Sequence, residues 1–142
     1  MSNELSLFSA NSDAMALHST ITLDSVQDKN RALRALNSAF SLAQTVQADV
    51  DVFDVMDIFQ TPGIRRSRME GMPDQPCKNT YFILTDGRAL MSQSDGIARS
   101  IDMLLALYPD CGRSTEKGYI SLMVHEQKLS NGNSLKSVYP VD

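Results

Sequence analysis

The dipeptide Asp86-Gly87 constrains this chain more than any other feature. It lies between Thr80-Tyr81-Phe82-Ile83-Leu84-Thr85 and Arg88-Ala89-Leu90-Met91-Ser92-Gln93. Asp-Gly between two such runs predicts a tight hairpin, because both central turn positions need positive φ. A two-residue loop would pair Thr85 with Arg88, Ile83 with Leu90 and Tyr81 with Ser92 on one face. Leu84 with Ala89 and Phe82 with Met91 would share the other face, which is wholly apolar. That face predicts core, and the mixed face predicts a wet surface.

A helix is expected next, over roughly 95–108. Ser94 or Asp95 would cap it, Ile97, Ile101, Leu104, Leu105 and Tyr108 form its apolar stripe, and Pro109 stops it. A second hairpin follows, from Tyr119 to Lys128, turning at Ser130-Asn131-Gly132-Asn133 and returning through Leu135 to Tyr139. Upstream, 49–60 is rich in Val, Ile and Phe with imperfect alternation, which predicts a strand bent by a bulge. Thr61-Pro62-Gly63 would end that strand, and Ile64 to Asn79 would be a long polar loop. Three strands, a helix and two strands are the order of the OB-fold, a mainly β, five-stranded barrel. One domain over 23–142 is expected, with a helix over 25–47 capped by Asp24. Its stripe would be Val26, Leu33, Leu36, Phe40, Ala43 and Val46. Residues 1–22, rich in Ser, Asn and Thr, read as a flexible N-terminal arm.

The net charge of −4 argues against a duplex-DNA binder, but the charge is uneven. Residues 1–64 hold eight acids against three bases, and the remainder holds ten bases against nine acids. This leaves room for a local basic groove. No apolar run is long enough to span a membrane, and the opening residues lack the pattern of a signal peptide. A cytoplasmic protein is expected. Cys77 and Cys111 have neither CxxC spacing nor a nearby His pair, so they read as reduced thiols without a chemical role. Asp49, Asp51, Asp54 and Asp57 lack the glycine of a calcium loop and read as a solvent-facing strand edge. There is no P-loop, GxGxxG, HExxH or GxSxG motif. Neither enzyme nor cofactor nor metal is expected.

Candidate binding residues cluster around the loops that flank an OB-fold groove. Arg65, Arg66 and Arg68 occupy the first loop, where guanidinium groups suit phosphate. Lys128 and Lys136 flank the second hairpin turn and would track a phosphate backbone. Tyr81 and Arg88 lie on the mixed face, with Tyr81 the leading ring for stacking on a base. Phe53, Phe59, Tyr119 and Tyr139 are further rings that fit core better.

Asn79-Thr80-Tyr81-Phe82-Ile83-Leu84-Thr85-Asp86-Gly87, followed by Ser92-Gln93-Ser94-Asp95-Gly96-Ile97-Ala98-Arg99-Ser100-Ile101, resembles a group of small single-stranded-DNA-binding proteins. These are found in phages and conjugative plasmids of Gram-positive bacteria. The single-strand binders of small protein-primed phages are similar at a greater distance. Pro62-Gly63, the Arg-rich loop and Cys77-Lys78-Asn79 fit the same group, and the similarity covers roughly 49–139. The resemblance implies an OB-fold and sequence-independent binding of single-stranded DNA in a bacterial host cell, during replication, recombination or transfer. It also implies several protomers along one strand and a groove near Arg65, Arg66, Arg68, Tyr81 and Arg88; Lys78 is a further expected nucleic-acid contact. Cellular bacterial relatives end in an acidic tail, whereas this sequence stops just after its last strand. The arm, through Leu5, Leu7 and Phe8, is therefore the expected protomer contact. An RNA-binding OB module and a protein-interaction module are the rival readings. No membrane or small-molecule partner is expected.

Overall fold

The computed structural model describes residues 17–67 and 70–141. Among these, the chain forms helix α1 (Val26–Ser38), β1 (Phe40–Ser41), a short α2 (Leu42–Thr45), β2 (Val52–Arg65), β3 (Gln75–Leu84), β4 (Ala89–Ser92), α3 (Asp95–Leu107), β5 (Ile120–Lys128) and β6 (Ser134–Pro140). The six strands make one strongly curled, half-barrel sheet in the order β1-β4-β3-β2-β5-β6. All neighbours are antiparallel except β1 and β4. No helix among the described residues is long and apolar enough to cross a membrane.

The sheet curls because β2 serves two partners. Val52–Val55 pair with β5, and the rest of the strand pairs with β3. The register shifts between Val55 and Asp57, so the expected bulge is present and redirects the strand. β2 does not stop at Pro62-Gly63 but runs on to Arg65. Gln60 N–H points away from β3, to the carbonyl of His18. Pro62 shares that parity, so its missing N–H falls on the open edge and costs no ladder bond. The expected long loop thus shrinks to 66–74.

The sheet is apolar on both sides. On one side Phe53, Val55, Ile58, Phe82, Leu84 and Leu90 pack with Ile97, Ile101 and Leu104 of α3. On the other, Phe59, Tyr81, Ile83 and Ala89 pack beneath Ala32 and Ala35 of α1 and Ile21. The hairpin register decides which β4 residues join each side. Leu84 C=O accepts from Gly87 N–H at 3.0 Å, Leu84 N–H donates to Arg88 C=O at 2.8 Å, and Gly87 has φ of 91°. This is a three-residue loop with its glycine in the left-handed region. Tyr81 therefore faces Met91 and Ile83 faces Ala89, one residue off the expected pairing. The face expected to be wet lies under a helix.

Helix α1 departs from expectation in length and face. Ser25, not Asp24, caps it by accepting from Asp28 N–H at 3.1 Å. It ends at Ser38, and Phe40 and Ser41 pair with Leu90 and Met91 on the edge of β4. Ala32 and Ala35 are buried, while Val26, Leu33 and Phe40 of the expected stripe are exposed. Helix α3 fits its expected stripe, with Ser94 capping Ile97 N–H at 3.3 Å.

Residues 17–21 of the expected arm are part of the domain. Thr20 N–H donates to Ile58 C=O at 2.8 Å, and Ser19 bridges Phe59. Asp57 secures this segment, and it is fully buried rather than on a wet edge. Its carboxylate accepts from Thr20 Oγ1 at 2.9 Å and lies 3.4 Å from both Arg31 of α1 and Arg113 of the loop after α3. Arg113 also donates to Thr20 C=O. One carboxylate thus joins β2, the 17–21 segment, α1 and the 109–118 loop. Burial holds its pKa above the ordinary carboxylate range, against the opposing pull of Thr20, Arg113 and Arg31.

Asp57→Ala leaves Thr20 and both arginines without their shared partner. It should lower the unfolding free energy by about 3 kcal/mol, read by urea denaturation; a loss too small to resolve would show that the carboxylate does not join these segments. The pH dependence has a definite sign. The native state holds the Asp57 proton more tightly than the unfolded chain, so its contribution is complete below the ordinary value of 3.8. It is lost as pH rises through the native value. The stability of wild type relative to Asp57→Asn should therefore fall across that window, and a rise would mean that the arginines outweigh burial.

Candidate functional site

Where β2 and β3 run out toward the 66–74 loop, they face the first turn of α3 and the start of β6. A cleft of about 1220 Å³ opens between these elements. Its floor and walls carry Arg65, Arg66, Arg99 and Lys136, and Asp95 is the one carboxylate among the described lining residues. Four cations against one anion make a positive hollow on a chain that is acidic overall. Ile64, Met72 and Leu135, all exposed, add aliphatic surface beside the charges.

The walls are fixed by specific contacts. Arg65 grips Asp95 with two nitrogens, at 3.0 and 3.2 Å, and donates to the Gln93 carbonyl. Gln93 Nε2 in turn donates to Asn79 Oδ1 on β3 at 2.9 Å. The Arg65 guanidinium holds the Asp95 carboxyl below its usual range against slight desolvation, with smaller help from Arg99. Asp95 raises the Arg65 pKa in return. The other wall depends on Gly96: a Cβ there would stand 2.2 Å from the Lys136 carbonyl oxygen. Only glycine lets the start of α3 lie against β6 this closely. The free edge of β4 is taken by β1, so β6 does not close onto it and the sheet stays open.

The expected site residues divide into groups. Arg65, Arg66 and Lys136 meet in the cleft. Lys128 pairs in register with Ser134 at its rim. Arg65 is occupied by Asp95, whereas Arg66, Arg99 and Lys136 form no ion pair among the described residues. Lys78 instead reaches Asp102 of α3 at 3.8 Å. Arg88 lies at the opposite end of β3, bonded to Asp86 at 2.8 Å, beside a smaller hollow with Arg34 and Phe40. Arg68 and the expected protomer contacts Leu5, Leu7 and Phe8 lie outside the described residues.

Tyr81 requires a correction. It is buried beneath α1 and stacks on Phe59, with ring centroids 4.8 Å apart and planes 10° from parallel. No face of the ring is open to a base. Phe53 and Phe59 are buried as well. Tyr119 is half-buried away from the cleft, and Tyr139 is exposed on β6 with its hydroxyl against Met123 Sδ. No described aromatic side chain lines the cleft.

Arg99 is the residue that inspection of the sequence missed. It stands four residues after Asp95 and off the Ile97–Ile101–Leu104 stripe, so its exposure could be read from helical spacing. Its place opposite Lys136 could not. The two thiols sit in the core, and burial raises both pKa values, that of Cys111 to about 12. The described residues contain no cluster of three or more His, Cys, Asp or Glu suited to a metal ion.

No protein-family model, curated protein or solved structure matches this chain.

Two substitutions test how the cleft is built. Arg65→Met should let the Asp95 carboxyl titrate closer to its ordinary value, read by NMR; an unchanged titration would mean that another group holds it down. Gly96→Ala should cost about 1–3 kcal/mol through the clash with the Lys136 carbonyl, and a neutral effect would show that α3 and β6 can separate freely.

Proposed function

We propose that this chain binds single-stranded DNA without regard to sequence, using the cleft beside Arg66, Arg99 and Lys136 on a sheet of OB type. The observation that carries this reading is one cationic hollow lined by the 66–74 loop and by the start of β6, just after the last hairpin turn. Counted from β2, the 66–74 loop joins the first and second strands of the β-β-β-α-β-β order. The Leu129–Asn133 turn joins the fourth and fifth. In an OB-fold these two loops flank the oligonucleotide groove. Here the hollow carries Arg66, Arg99 and Lys136, which form no ion pair among the described residues, although Glu126 lies opposite Lys136 in register.

The mechanism differs from one based on stacking. Arg66, Arg99 and Lys136 neutralise successive phosphates, and Lys128 extends the track along the rim. Ile64, Met72 and Leu135 offer aliphatic surface to sugars and base faces. With no described ring in the hollow, affinity is dominated by charge and falls steeply with salt. The resemblance of 79–101 to the single-strand binders of phages and conjugative plasmids points the same way. It suggests a non-catalytic role inside a bacterial host during replication, recombination or transfer. RNA would meet the same charges, and only contacts to the 2′-hydroxyl separate the two.

Fluorescence anisotropy with labelled oligo-dT, matched RNA and duplex at several salt concentrations tests this reading. Preferential binding to the DNA single strand is expected. Replacing Arg66, Arg99 and Lys136 together by Ala should flatten the log–log salt slope by about 2, at roughly 0.7 for each phosphate no longer neutralised. Binding that survives the triple substitution would move the interface elsewhere. No binding of any oligonucleotide at low salt would overturn it.

A further inference from the structure

A second hollow, of about 220 Å³, opens beside the cleft at the mouth of the half-barrel. It follows from the open sheet. Because β1 takes the edge of β4, the interior stays reachable between α2 on one side and the ends of β5 and β6 on the other. Leu42 of α2, Val46 just after it, Ile97 of α3 and Val124 of β5 line the hollow. Leu42, Ile97 and Val124 are buried members of the core, so its walls are set by packing. Its rim is polar. Along β5, Ile120, Leu122 and Val124 alternate inward, and the same parity turns Glu126 toward the mouth. Glu126 stands in register with Lys136 of β6.

We propose that this hollow takes one nucleobase of a strand whose phosphates lie in the neighbouring cleft, an inference that rests on the single-strand reading. Three observations support it. The first is continuity. Lys136 lines both hollows, and the neighbours Ser92–Gln93 and Gly96–Ile97 divide between them. A base attached beside a phosphate at Lys136 thus meets the second opening. The second is size. At about 30 Å³ for each water, the volume equals roughly seven waters, room for one heterocycle and not for two. The third is chemistry. Glu126 repels phosphate, but every nucleobase carries an N–H that a carboxylate can accept. Ser92 Oγ accepts from Ser94 N–H at 3.1 Å and keeps its own proton to donate. The ring faces meet the alkyl groups of Leu42, Val46 and Ile97. The two hollows therefore sort a nucleotide, with phosphate toward the cations and base toward the alkyl walls and Glu126. All four bases offer a flat apolar face and an N–H, so the contact holds without regard to sequence.

The test compares two strands on two forms of the full chain. One strand is labelled oligo-dT, and the other is an abasic strand of equal length that keeps the phosphates and lacks the bases. The second form of the chain is Ala43→Leu, which narrows the mouth from an exposed position on α2 that tolerates a larger helix-forming residue. Fluorescence anisotropy should show Ala43→Leu weakening oligo-dT on the order of tenfold, the scale of one lost base contact. The abasic strand should bind both forms equally, and the salt slope for either strand should not change, because no phosphate contact is removed. An equal loss for both strands, or no loss for either, overturns the base pocket and leaves the phosphate cleft standing. If neither strand binds the wild-type chain at low salt, the single-strand reading itself falls, and the base pocket with it.

Discussion

Strands β2 and β3 carry apolar side chains on both faces, and the rest of the molecule is arranged around covering them. Two fully buried rings show the problem: Phe82 faces the core shared with α3, and Phe59 faces the one shared with α1. A small barrel has only one interior. The second apolar face therefore needs its own cover, which α1 and Ile21 supply. This constraint removes the outer surface of β3 and β4 from any binding role. The available hollow is displaced to the end of the sheet, where the extended β2–β3 pair, the start of α3 and the start of β6 meet.

Covering both faces requires α1 and the segment before it to be held against the sheet. Hydrophobic contact alone gives little grip here, because the buried face of α1 is mostly alanine. The Asp57 carboxylate adds directional contacts to Thr20, Arg31 and Arg113, joining four separate parts of the chain. Its raised pKa shows that burial outweighs these contacts for the charged form. At the opposite side of the sheet, the close approach at Gly96 places α3 against β6. One wall of the cleft is formed there, and the barrel remains open because β1 takes the edge of β4.

Much of this is legible in the sequence. Helix α3, its Ser94 cap, both hairpins and the bulge in β2 follow from local rules of spacing, capping and turn chemistry. What cannot be read there depends on tertiary context. The turn at Asp86-Gly87 is evident from its dipeptide, but its three-residue form is not. That one-residue difference changes which β4 residues share each face, and Tyr81 is buried because α1 covers the face expected to be wet. The stripe expected on α1 ranks Val26, Leu33 and Phe40 above Ala32 and Ala35 by size. A helix lying close on a sheet favours the small residues instead. Asp57 gives no sign of burial, since its partners Thr20, Arg31 and Arg113 are all far away in sequence and none is signalled by a local motif. Among the candidate binding residues, Arg65, Arg66 and Lys136 stand out by their place near loops, whereas Arg99 needs the fold to bring α3 and β6 together.

The most direct test of the central claim is a chemical-shift map of the labelled chain titrated with oligo-dT. The account predicts perturbations concentrated in Arg65–Arg66, Ser94–Arg99 and Ser134–Lys136, with Asp86–Arg88 and Tyr81 left still. Perturbations centred on Asp86–Arg88 and Arg34, or spread over α1, would contradict it and place the working surface at the opposite end of the sheet.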